Sequence, residues 1–69
     1  MSEIKISLAA ARVNANMTQD DVAAKMHVTK QTVVNWEKGR AIPTFAVLHA
    51  LSDIYQFPID NIFLPTNTT

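Results

Sequence analysis

The strongest constraint on the fold is a pair of short helical segments that share one start signal and have almost no chain between them. Thr18 and Thr29 each precede a segment with helix-spaced apolar residues, and threonine is a favoured N-cap residue. The two segments predict helices from Gln19 to about Met26 and from Lys30 to Lys38. Only residues 27–29 join them, so the helices must meet at a tight turn, the spacing of a helix-turn-helix.

Helical spacing also predicts elements on both sides of this pair. A first helix is expected from about Glu3 to Ala15, and Gly39 is expected to end the third helix. Pro43 and Thr44 open a fourth helix, and Pro58 to Phe63 predict one short closing helix. The alternation typical of strands never persists. The predicted fold is therefore all-α, a compact bundle of five short helices.

Length and composition favour one small intracellular domain. The chain has 69 residues, which we interpret as a single domain over 1–65 and a disordered tail over 66–69. The absence of cysteine fits a reducing compartment, so a cytoplasmic location is expected. The longest uncharged stretch, residues 41–52, is too short to span a membrane. Nearly half of the residues are hydrophobic, which excludes a disordered chain.

The residue types present argue against an enzyme. A phosphate-binding glycine loop needs several glycines, and Gly39 is the only one. The histidines, His27 and His49, lack the spacing of metal ligands, and there is no cysteine to act as a nucleophile. We therefore expect no catalytic residue, no metal and no cofactor.

The formal net charge of zero conceals an uneven distribution. Within residues 25–40, four basic residues (Lys25, Lys30, Lys38 and Arg40) are opposed by Glu37 alone, which gives this segment a net charge of +3. The remainder of the chain carries −3. A basic segment is typical of a nucleic-acid contact, although an ordinary solvated helix would also explain it.

Residues 18–39 resemble the helix-turn-helix of the Cro/CI-type phage repressor family. The resemblance covers about Ile6 to Leu64 and includes the sequence Trp-Glu-Lys-Gly at 36–39 and the ending at 58–63. It implies a lambda-repressor-like DNA-binding domain. His27 departs from the family, which usually has glycine at this left-handed position in the turn. Histidine tolerates a positive φ better than most residues, at a cost of about 1 kcal/mol.

The third helix has an outer face that suits the reading of bases. Its polar members are Lys30, Gln31, Asn35 and Lys38, and Val34 lies among them. Glutamine and asparagine pair with adenine, and lysine donates to guanine. Val34 has two equally good interpretations, a contact with a thymine methyl group or an isolated valine on the surface.

Phosphate contacts are expected beside this face. The resemblance assigns such a contact to Gln19, and Lys38, Arg40 and Lys25 are basic residues nearby. Thr29 is explained by capping alone or by capping together with a phosphate contact. The full set of expected DNA-binding residues comprises Gln19, Thr29, Lys30, Gln31, Thr32, Val34, Asn35, Lys38 and Arg40.

The resemblance also implies a partly buried ion pair between Arg12 and Glu37. The alternative is two independent surface charges. Trp36 is interpreted as a core residue because of its helical position, and base stacking is the alternative.

These expectations lead to a sequence-specific transcriptional regulator, similar to Cro or to a short repressor. Its partner is double-stranded DNA with a palindromic operator, bound in the major groove by a homodimer, with no membrane association. Exposed residues among Phe57, Ile59, Phe63 and Leu64 are expected to form the dimer contact, and the alternative is that these residues only close the core. Two alternatives remain: an antitoxin whose apolar C-terminal half covers a toxin, and a helical protein-interaction module without DNA binding. An antirepressor or a toxin is a possible protein partner.

Overall fold

The protein folds into short helices whose bounds mostly follow the capping residues in the sequence. The computed structural model describes residues 6–63. In chain order its elements are β1 (Ile6–Ser7), α1 (Leu8–Asn14), α2 (Gln19–Met26), α3 (Lys30–Lys38), α4 (Phe45–Tyr55), a 3-10 helix (Ile59–Asn61) and β2 (Ile62–Phe63). The all-α helix-turn-helix fold is confirmed, and residues 6–63 contain four α-helices and one 3-10 helix. The expected beginning of the first helix and the expected tail at 66–69 lie outside the described residues.

The helix starts depend on side-chain caps. The Thr18 hydroxyl accepts the backbone N–H of Asp21 at 3.0 Å, and the Asp21 carboxylate accepts the backbone N–H of Thr18 at 2.9 Å. Two hydrogen bonds lower the pKa of the Asp21 carboxyl group. The larger effect comes from the backbone N–H of Thr18 and the smaller one from the Thr18 hydroxyl. Thr29 caps α3 in a similar way, accepting the Thr32 N–H at 3.1 Å. The predicted bounds of α2 and α3 are confirmed.

Two left-handed residues end these helices. Gly39 has φ 79° after α3, and His27 has φ 59° after α2. The backbone N–H of Val28 donates to the Ala23 carbonyl at 3.0 Å, which closes the turn. The left-handed backbone expected at His27 is confirmed, and the side chain of His27 is exposed.

Replacing His27 with glycine is expected to raise the free energy of unfolding by about 0.5–1 kcal/mol, because glycine removes the Cβ strain of the left-handed conformation. Ala24→Gly is the matched control, since Ala24 is exposed within α2 and glycine there lowers stability by a similar amount. Urea unfolding of the two variants measures both effects. A loss of stability in both would show that His27 is not strained.

The prediction that the first helix includes residues 6–7 was wrong. α1 begins at Leu8, and Ser7 is its N-cap, with its hydroxyl accepting the Ala10 N–H at 3.1 Å. Serine competes for backbone hydrogen bonds inside a helix and is favoured at the cap, which explains the later start. Residues 6–7 instead form a strand.

The closing segment also differs from the prediction. In place of a helix from Pro58 to Phe63, the chain forms the three-residue 3-10 helix and then β2. β2 pairs in parallel with β1, with Ile6 opposite Ile62 and Ser7 opposite Phe63. This pairing joins the two ends of the described chain beside α1.

The core is formed by all four α-helices. Its buried members are Leu8, Ala11, Val22, Ala23, Val33, Trp36, Leu51 and Tyr55. Met26 and Val28 are half-buried against this core. Since Val33 and Trp36 are the buried residues of α3, the opposite face of that helix is turned outward.

Within residues 6–63, no helix has the length and apolar character needed to cross a membrane.

Candidate nucleic-acid interface

The outward face of α3 is a polar surface on a helix that the core holds in place. Lys30, Gln31 and Lys38 are exposed, whereas Val34 and Asn35 are half-buried. All five lie on one side of the helix, away from Val33 and Trp36. The face therefore presents two carboxamides and two ammonium groups, with one apolar side chain among them.

The two carboxamides are joined by a hydrogen bond. Gln31 Nε2 donates to Asn35 Oδ1 at 3.0 Å, a pairing allowed by their separation of four residues. Gln31 retains its Oε1 acceptor and a second N–H, and Asn35 retains both N–H donors. The pair can therefore offer an acceptor and donors to a base edge at the same time.

Thr29 and Thr32 are engaged with each other at the start of α3. Their hydroxyl oxygens lie 2.8 Å apart and share a hydrogen bond, in addition to the capping bond of Thr29. Capping therefore accounts for Thr29 in the free protein. Thr32 is half-buried, while Thr29 is exposed.

The basic side chains of residues 25–40 are all exposed. Lys30 Nζ lies 4.0 Å from Asp20 Oδ2, a solvent-exposed pair that contributes little to stability. Lys25, Lys38 and Arg40 form no ion pair within the described part of the chain. Three cationic groups are therefore free to meet an anion beside the α3 face.

The structure brings Arg12 and Glu37 together inside the bundle. Arg12 Nε donates to Glu37 Oε2 at 2.7 Å, and a guanidinium nitrogen lies 3.4 Å from Oε1. Their side chains are 15% and 7% exposed, respectively. Arg12 also donates to the Met17 carbonyl at 3.0 Å. The only acidic residue of the basic segment is therefore buried and paired, which leaves the surface of that segment more positive than a count of its residues indicates.

The ionisation of Tyr55 is affected by its burial and by the nearby ion pair. Burial of the phenol, and secondarily the negative charge of Glu37, raises the pKa of Tyr55 to about 12, against the opposing effect of Arg12. The partly buried ion pair is therefore close enough to the buried phenol to affect its ionisation.

Gln19 has a contact that sequence reasoning missed. Its Nε2 donates to Glu37 Oε1 at 2.9 Å, so the first residue of α2 is tied to the last turn of α3. The phosphate contact expected of Gln19 must therefore use the second N–H of its carboxamide or its backbone N–H. No local pattern indicates the bond, because the two residues are 18 positions apart.

The apolar residues expected to form a dimer contact are only partly accessible. Phe57 is half-buried against the core and Ile59 is half-buried. The side chain of Phe63, and Leu64 as a whole, lie outside the described part of the structure. Among the described residues, the large apolar side chains with the most exposure are Val13, Ile42 and Phe45.

Comparison with known proteins agrees with this geometry. A family model described as helix-turn-helix matches residues 8–62. An uncharacterized HTH-type transcriptional regulator of Methanocaldococcus jannaschii is 33% identical over 49 residues, which cover 71% of this chain and 74% of that protein. A second such regulator, from Archaeoglobus fulgidus, is 30% identical over 53 residues, covering 77% of this chain and 75% of the relative.

A longer relative extends the comparison. The HTH-type transcriptional activator BcrR of Enterococcus faecalis is 27% identical over 60 residues, which are 87% of this chain but 29% of that protein. No solved structure matches the chain significantly. The family match over most of the described residues, together with the capped α2 and α3 and their tight turn, shows that the chain belongs to the Cro/CI-type helix-turn-helix family.

Proposed function

We propose that the chain is a sequence-specific DNA-binding regulator of transcription that inserts α3 into the major groove. The observation that carries this proposal is the outer face of α3, where long hydrogen-bonding side chains stand exposed on a helix anchored by Val33 and Trp36. An α-helix fits the width of the major groove, and amides and lysines there recognise base edges. The names of the relatives, which are HTH-type regulators, support the same function.

The proposed interface divides into reading and clamping residues. Gln31 and Asn35 read bases, with Lys30 and Val34 beside them and Thr32 at the edge of the surface. Phosphates are clamped by groups on either side, which are the half-buried Gln19 and the exposed Thr29, Lys38 and Arg40. Lys25 is the further cation available. Phosphate contacts orient the protein, whereas the contacts to base edges provide the sequence preference.

We further propose that two copies bind a palindromic operator. One module of this size makes few base contacts, and helix-turn-helix dimers gain specificity from two half-sites about one turn of DNA apart. The zero net charge of the chain offers little electrostatic resistance to pairing.

Two rival functions make different demands on the surface. A protein-interaction module would carry leucine or aromatic anchors on its exposed helix face, and the outer face of α3 has only Val34. An antitoxin would cover its toxin with exposed apolar side chains, for which Ile42 and Phe45 are available. Co-purification with a toxin encoded beside this gene would favour the antitoxin.

The salt dependence of DNA binding tests the proposed clamps. With Lys38 and Arg40 in each of two subunits, about four phosphates are neutralised, so a log–log plot of affinity against salt should have a slope of roughly −3 to −5. Fluorescence anisotropy with labelled duplex at several salt concentrations gives this slope. Affinity that is independent of salt would contradict the proposed phosphate contacts.

A further inference from the structure

We propose that Glu37 is a positioning residue for DNA binding, which holds the carboxamide of Gln19 in the orientation that donates to a phosphate. This inference rests on the proposed function. It assigns to the buried ion pair a role in affinity, in addition to its role in stability.

The orientation of Gln19 follows from the chemistry of its partner. Glu37 Oε1 lies 2.9 Å from Gln19, and an ionised carboxylate can only accept hydrogen bonds. The nitrogen of the carboxamide, and not its oxygen, must therefore face Glu37. Arg12 holds the same carboxylate through its Nε at 2.7 Å, so the acceptor itself is fixed.

This arrangement leaves a donor for DNA. The carboxamide nitrogen carries two N–H groups, of which Glu37 takes one and a phosphate oxygen can take the other. If the carboxamide were free to rotate, its oxygen would compete for the same place and would repel the phosphate. Holding a long side chain in place before binding also reduces the entropy lost on binding.

The ion pair supports the beginning of α2 at a second point. Arg12 donates to the Met17 carbonyl at 3.0 Å, immediately before the capping residue Thr18. The same two charged residues therefore hold the chain entering α2 and the side chain of its first residue. A change at Glu37 reaches the DNA surface through Gln19, without any contact between Glu37 and DNA.

Two double variants separate this role from a structural one. Arg12→Met with Glu37→Gln, and Arg12→Met with Glu37→Met, both remove the buried charges and keep the net charge of the chain. Only the first retains an oxygen that can accept from Gln19. Replacement of a buried ion pair by uncharged residues of similar size is often neutral for stability, so both should fold, which thermal melts verify.

The measured quantity is affinity for an operator selected from random DNA. We expect the variant with Glu37→Met to bind about 2- to 10-fold more weakly than the variant with Glu37→Gln, the effect of one hydrogen bond. After Gln19→Met is added to both, the difference should disappear, because Glu37 acts through Gln19. The difference should persist at every salt concentration, since no charge distinguishes the two variants.

Glu37→Asp provides a second test that keeps the charge beside Arg12. Its shorter side chain withdraws the carboxylate from Gln19, so we expect weaker binding in the Gln19 protein and no further effect after Gln19→Met. Equal affinities in either comparison, or normal binding by Gln19→Met alone, would overturn the positioning role while the proposed function stands. Failure of the unaltered protein to prefer any DNA would overturn both.

Discussion

Glu37→Ala is expected to lower the free energy of unfolding by about 3 kcal/mol. The substitution removes the partner of Arg12, whose side chain is 15% exposed, and leaves the Met17 carbonyl as the only remaining acceptor of the guanidinium within residues 6–63. For 69 residues, the total stability is expected to be roughly 3–10 kcal/mol, so this loss would remove at least about a third of it.

Urea unfolding of Glu37→Ala measures this effect, and Arg12→Met with Glu37→Met serves as its matched control. The double variant removes the stranded charge, so most of the stability should return. If the single variant were as stable as the unaltered protein, the ion pair would contribute nothing and its burial would have no energetic consequence.

The second large effect is expected on the DNA surface. Gln31→Ala should weaken binding to the preferred operator by about 1–3 kcal/mol and relax the preference at one base position. Within residues 6–63, the exposed carboxamide of Gln31 is bonded only to Asn35, so its removal should leave the fold intact. Because the two amides share a hydrogen bond, we also expect a smaller change in preference at the base read by Asn35.

Arg40→Ala is the matched control for Gln31→Ala. Arg40 is exposed just beyond the C-cap of α3, and a phosphate contact carries no base identity. Its loss should therefore weaken operator and scrambled DNA to nearly the same extent. If Gln31→Ala weakened both DNAs equally while Arg40→Ala abolished the preference, the reading and clamping roles would be misassigned.

The local parts of the fold could be predicted because their signals are local. Thr18, Thr29 and Gly39 define helix ends through bonds within a few residues, and the structure has those ends where the sequence predicts them. The β1–β2 pair could not be predicted in the same way. It joins residues 6–7 to 62–63, and a strand of two residues has no alternating pattern to detect.

The candidate site was predictable only in part for a similar reason. Helical spacing identifies the residues that share the outer face of α3, since that depends on the period of one helix. The bond from Gln19 to Glu37 depends on how α2 packs against α3, which no single segment encodes. Burial of Glu37 has the same origin, and it explains how a chain of zero net charge can present a basic surface.

The central claim, that α3 reads a DNA sequence, is tested most directly by selecting bound duplexes from a random pool. We expect enrichment of inverted repeats whose half-site centres lie about one helical turn apart, with one base position that loses its preference in Gln31→Ala. Recovery of duplexes without any shared sequence, by a protein that melts cooperatively, would contradict the claim.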